Sequence, residues 1–164
     1  KHIEERRQIG HWEGDTLIGK RHKHAIVSLV ERKSGYAVLA KVERKSADLV
    51  STAIIKRLKP IAKQVRTLTY DNGKEFADHA AIDKALSSTA YFADPYSSWQ
   101  RGSNENLNGL IRQYIPKSRP LSTVSNEELA KIEQLLNNRP RKRLGYKTPH
   151  EIFTESLNRV ALRT

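Results

Sequence analysis

From His11 to Ile18 polar and apolar residues alternate, so Glu13, Asp15 and Leu17 share one face of an extended chain and the stretch predicts a first strand. A charged residue in mid-strand, as Asp15 is, needs a partner or a metal. Residues 25–30 are almost uniformly apolar, the pattern of a central strand covered on both faces. A turn at Arg32-Lys33-Ser34-Gly35, with Gly where positive φ costs little, leads to renewed alternation over residues 36–43. Three strands joined by short turns make an antiparallel meander.

After Ser46, a good N-cap, Ala47, Val50, Ile54 and Leu58 recur at helical spacing until Pro60 stops them. Residues 65–70 then read as a short strand ending at Asp71-Asn72-Gly73. This places the second acid at the carboxyl end of a strand, where open α/β sheets hold their ligands. A helix over 74–86, a strand over 89–93 and a loop over 94–101 follow. Over residues 103–115 helical geometry gathers Leu107, Leu110, Ile111 and Tyr114 on one face and Glu105, Asn108 and Arg112 on the other. Two more helices open on capping boxes, Ser125-Asn126-Glu127-Glu128 and Thr148-Pro149-His150-Glu151. The Arg- and Lys-rich stretch between them, 138–147, looks like a solvated basic loop, and its residues 139–147, like the turn over 20–24, are equally a candidate patch for contacts to an anionic backbone. This order predicts an α/β fold, a mixed five-stranded sheet with helices on both faces.

Length adds that residues 11–164 form one domain, preceded by an arm or linker over 1–10. Thirty Lys and Arg against 18 Asp and Glu leave a net charge of +12, which favours a densely anionic partner, above all nucleic acid. With no Cys there are neither disulfides nor thiolate zinc sites, and the six His show no zinc spacing. No apolar run approaches the ~18 residues of a membrane span and no signal-peptide pattern opens the chain, so no membrane partner is expected. The lack of any Met predicts a piece of a longer protein.

Candidate chemistry lies in Gly14-Asp15-Thr16, Tyr70-Asp71-Asn72-Gly73 and Gly102-Ser103-Asn104-Glu105-Asn106, with 33 residues between Asp71 and Glu105. Where three such acids converge, their hard oxygens select Mg²⁺ or Mn²⁺, and a pair of these ions serves in-line phosphoryl displacement. Spacing alone does not bring them together.

Five stretches occur in a telling order: His11-Trp12-Glu13-Gly14-Asp15-Thr16, Tyr70-Asp71-Asn72-Gly73-Lys74-Glu75-Phe76, residues 96–106 around Trp99 and Glu105, Asn137-Asn138-Arg139-Pro140-Arg141, and Thr148-Pro149. Together they resemble the catalytic core of a bacterial insertion-sequence transposase of the Asp-Asp-Glu type, in the retroviral-integrase superfamily. The resemblance covers roughly residues 8–154. It implies an RNase-H-like fold whose first and fourth strands are neighbours, which would bring Asp15 and Asp71 together. It also implies hydrolysis that frees a 3′-hydroxyl, attack of that hydroxyl on target DNA, and Asp15, Asp71 and Glu105 as catalytic ligands of two Mg²⁺ or Mn²⁺ ions.

DNA, as transposon ends and target, is the implied partner; the full protein is expected to self-associate and to work at the nucleoid in the bacterial cytoplasm. The family's N-terminal helix-turn-helix, which binds the ends, has no counterpart here. Arg112 matches a basic position that holds a phosphate, and with Asn108, Arg101 and Trp99 it makes up the expected DNA contacts. Trp99 and Tyr96 are candidates for stacking on an unpaired base, Asn72 for orienting a phosphate, and Glu13 for a supporting role. Two other readings stay open: an RNase-H-like structure-selective nuclease, and a DNA-binding module without catalysis.

Overall fold

In a computed structural model, which describes residues 8–94 and 102–163, the first alternation becomes strand β1 (His11–Ile18). The apolar run becomes β2 (Ala25–Glu31), with all seven residues buried, and the second alternation becomes β3 (Ala37–Val42). These pair antiparallel, with Asp15 opposite Ser28 and Ser28 opposite Leu39. Gly35, at φ 73°, turns the chain between β2 and β3. Strands β4 (Thr67–Tyr70) and β5 (Thr89–Phe92) join the other side of β1 in parallel, and the sheet runs β3-β2-β1-β4-β5. The first and fourth strands are neighbours, as expected.

β2 divides its side chains between two cores. Ala25, Val27 and Leu29 face the cluster that contains Trp12, Leu68 and Phe153. Onto it pack helices α1 (Ala47–Leu58), α2 (His79–Leu86) and α5 (Pro149–Arg163). Ile26 and Val30 face the opposite cluster, which is completed by helices α3 (Gly102–Tyr114) and α4 (Asn126–Asn137) through Leu107, Ile111 and Leu136. Each such buried side chain contributes roughly 1.5–3 kcal/mol.

The last two helices start where their capping boxes predict: Ser125 accepts from the Glu128 N–H at 3.0 Å, and Thr148 and Glu151 cap each other reciprocally. Ser46 behaves differently, its hydroxyl donating to Asp48 at 2.6 Å rather than accepting from the helix. The helix expected over 74–86 is two pieces, a 3₁₀ turn (Lys74–Phe76) and α2. Glu75 and Phe76 are consecutive and both buried, Phe76 stacked on Tyr70 at 4.5 Å.

β3 is an edge strand, and side chains satisfy its outer backbone. Asn137 brackets Ala37, accepting from its N–H at 2.8 Å and donating to its carbonyl at 2.9 Å. Glu133 accepts from the Leu39 N–H at 2.7 Å while Arg57 donates to the Leu39 carbonyl and pairs with Glu133. The edge is thereby closed to other strands, and the end of α4 is fixed to the sheet.

Candidate active site

Strands β1 and β4 run parallel with Glu13 opposite Thr69, and two residues further along each stand Asp15 and Asp71. Gly14 permits this packing, because a Cβ there would lie 2.9 Å from the buried Tyr70 ring. Helix α3 lies along β1 in the same direction. The Asn104 N–H donates to Glu13 Oε1 at 3.0 Å, Asn108 Nδ2 to Asp15 Oδ2 at 2.9 Å, and Arg112 to the Ile18 carbonyl at 3.3 Å. Four helical residues advance about 6 Å and two strand residues about 6.6 Å, so positions four apart on α3 keep step with positions two apart on β1.

Asp15 is therefore held on both oxygens, since its own Oδ1 accepts from the Thr16 N–H at 2.8 Å. Asn108 is held in turn by Ser28, whose hydroxyl donates to Asn108 Oδ1 at 2.9 Å. Asp71 folds back on its turn, accepting from the Gly73 N–H at 2.8 Å.

Beside Asp71 lies Glu75, which sequence reasoning passed over. It is 2 % exposed; Oε2 accepts from the Thr16 hydroxyl at 2.7 Å and sits 3.1 Å from Lys45 Nζ, while Oε1 has no hydrogen-bond partner. A Cβ on Gly73 would be 1.9 Å from Glu75 Oε1 and 2.8 Å from Asp71 Oδ1, so both carboxylates crowd the space that Gly73 leaves. The available signal was only the placement of Glu75 four residues after Asp71 and directly before Phe76.

Glu105 stands on the exposed side of α3, three residues before Asn108. Among the described residues no three His, Asp or Glu side chains converge closely enough to enclose a metal ion. The donor chemistry nonetheless fits a hard divalent cation: the acids supply only oxygens, and Glu75 Oε1 is a buried acceptor without a donor. Glu13, 2 % exposed, is tied to Arg32 at 3.0 Å and to α3, a supporting position. Arg112 is partly buried, its Nε has no partner, and burial lowers its pKa. Asn72 is exposed. Trp99, Arg101 and Tyr96 lie outside the described residues.

The integrase core domain family matches residues 5–98, more than half of the chain. The chain belongs to the integrase core domain family. This core domain is 46% identical over 156 residues to the transposase of insertion sequence element IS4351 from Bacteroides fragilis, covering 95% of the chain and 48% of that protein. It is 43% identical over 154 residues to transposase InsI of IS30A from Escherichia coli K12, covering 93% of the chain and 40% of that protein. The chain thus spans about half the length of these curated relatives or less. The catalytic core domain of BIV integrase superposes with a TM-score of 0.68 at 24% identity, over 92% of this chain and 97% of that one. The fold is the RNase-H-like integrase core, as the resemblance implied, and its mixed five-stranded sheet is the one that the strand and helix order predicted. No helix among the described residues is long and apolar enough to cross a membrane.

Proposed function

We propose that residues 11–164 form the catalytic core of a bacterial DNA transposase, with Asp15, Asp71 and Glu105 as its acidic triad. The observation that carries this reading is the junction of three elements: Asp15 and Asp71 end equivalent steps of parallel neighbours, and α3, which bears Glu105, is pinned to Asp15 through Asn108. The transposase relatives support it.

The reaction is hydrolysis of a DNA phosphodiester that leaves a 3′-hydroxyl, then attack of that hydroxyl on a phosphodiester of the target. Divalent Mg²⁺ or Mn²⁺ ions on the triad would neutralise charge on the attacking and leaving oxygens. The chain's own residues supply position. Asn108 and the Thr16 N–H fix the Asp15 carboxylate, Gly73 leaves room for Asp71 beside Glu75, and Lys45 offsets the charge of Glu75. Asn108 and Arg112 lie on one side of α3 where a DNA phosphate would approach the acids; Arg101 and Trp99 are further proposed contacts. In the longer protein we place transposon ends and target DNA as partners and self-association as the means of joining two ends.

A DNA-binding module without catalysis is the second reading, favoured by the net charge of +12 and by the exposed position of Glu105 on α3. One comparison separates them: nicking of supercoiled plasmid in Mn²⁺ and in EDTA, by the wild type and by Asp71→Asn. Metal-dependent nicking that falls at least a hundredfold in the folded variant is expected; equal nicking by both proteins, with or without metal, would sink the catalytic reading.

A further inference from the structure

The basic loop, exposed at most of its positions as expected, also walls a cleft. A cleft of about 360 Å³ opens between the first turn of α3, the end of β2 and residues 141–143. Among the described residues four cations line it, Arg32, Arg141, Lys142 and Arg143, together with Gly102 and Ser103 of α3, and none of the described lining residues is acidic. Behind the wall, Arg32 is tied to Glu13 at 3.0 Å.

The wall is built rather than draped. Asn137 fixes the end of α4 to β3, and the chain then closes a tight loop in which the Arg141 N–H donates to Lys147 and Tyr146 donates back to Arg141. Gly145 and Tyr146 take positive φ in succession, 63° and 67°, the second an unusual conformation for a side-chain-bearing residue. Arg143 reaches the Lys33 carbonyl at 3.1 Å, over Gly35, where a Cβ would stand 3.3 Å from its guanidinium. Arg141 Nε is buried without a hydrogen-bond partner, and burial, then Arg139 and Arg143, hold its guanidinium below the usual range. Like charges fixed together around a space, one with an orphaned donor, are what an incoming anion relieves. The amino end of α3 adds a favourable dipole.

We propose that this cleft seats a phosphate of a nucleic-acid backbone, held by Arg141, Lys142 and Arg143 at the start of the helix that carries Glu105. Ser103 and Asn106 face the cleft while Asn108 binds Asp15, so a strand seated there is indexed by α3 against the acids. The proposal rests on the reading of the chain as a DNA-processing core, but its test needs no catalysis.

The affinity of the 164-residue chain for a labelled DNA duplex is measured in EDTA over a range of salt, for wild type, Arg141→Gln/Lys142→Gln, and the matched charge loss Lys63→Gln/Lys84→Gln on the other side of the sheet. The cleft variant is expected to bind at least tenfold more weakly at about 0.1 M salt. Its plot of log affinity against log salt should flatten by about 0.9 for each phosphate no longer neutralised, well beyond the matched variant. Thermal melts establish that the variants are folded; if the double variant is not, Lys142→Gln, an exposed position, carries the comparison. Equal losses in the cleft and matched variants overturn the proposal. So does ³¹P line broadening of inorganic phosphate that depends on Arg141 while duplex affinity does not, because the cleft then serves a free anion. A normal cleft result beside undiminished nicking by Asp71→Asn would sink the catalytic reading alone, and the reverse pattern the cleft alone.

Discussion

Glu31 is fully buried at the end of β2 with four donors on its carboxylate, the Gly10 N–H at 3.1 Å, the Ser34 N–H and hydroxyl, both at 2.7 Å, and the Lys33 N–H. Burial outweighs these bonds and raises its pKa above the ordinary 4.5. The folded chain then keeps a proton that the unfolded chain has released, so the stability Glu31 lends is full below 4.5 and is lost as pH rises through the folded value. In urea melts at a series of pH values, the stability of the wild type relative to Glu31→Gln should fall as pH rises above that point; a difference that stays level or grows contradicts the assignment. Asp15 was legible as a charged residue in mid-strand, and Asp71 as an acid at the end of one. Glu75 was not, since an acid among polar neighbours reads as surface until Thr16 and Lys45, remote in sequence, are seen to enclose it.

At the scale of elements, the site depends on a match of steps, α3 against β1, and on the turn after β4. The helix pattern of α3 was legible, including the sidedness of Asn108 and Arg112, but its phase against β1 came from Asn104 and Asn108 bonding across more than 90 residues. Gly73 tests the turn. Its φ of −68° suits alanine, so Gly73→Ala acts only through the added Cβ, which meets Glu75 and Asp71 oxygens. Nicking should fall at least tenfold while the melting curve keeps its cooperative shape, and a Gly73→Ala core as active as wild type would show that these carboxylates are not held in working positions. The predicted helix over 74–86 is instead a 3₁₀ turn and α2, a break that helical periodicity does not register.

Across the whole molecule, the meander and the mixed five-stranded sheet were readable from the succession of strands and helices, the adjacency of the first and fourth strands from the family resemblance, and the positive charge pointed to an anionic partner. The basic loop was legible as solvated and as a candidate contact patch, but the cleft that it walls was not, because what shapes it lies about a hundred residues earlier: Lys33, Gly35 and Ala37 at the β2–β3 turn. Convergence of three acids is likewise a property of the assembled chain. Glu105 is the member the geometry leaves on an exposed helix face, and the proposal of a single triad therefore stands or falls with it. The decisive measurement is Mn²⁺-dependent nicking of supercoiled plasmid by Glu105→Gln beside Glu155→Gln, an exposed acid paired with Lys147 at the surface. If the triad is the catalytic centre, Glu105→Gln loses at least a hundredfold in rate with its melt unchanged while Glu155→Gln keeps wild-type activity; wild-type nicking by Glu105→Gln would contradict it.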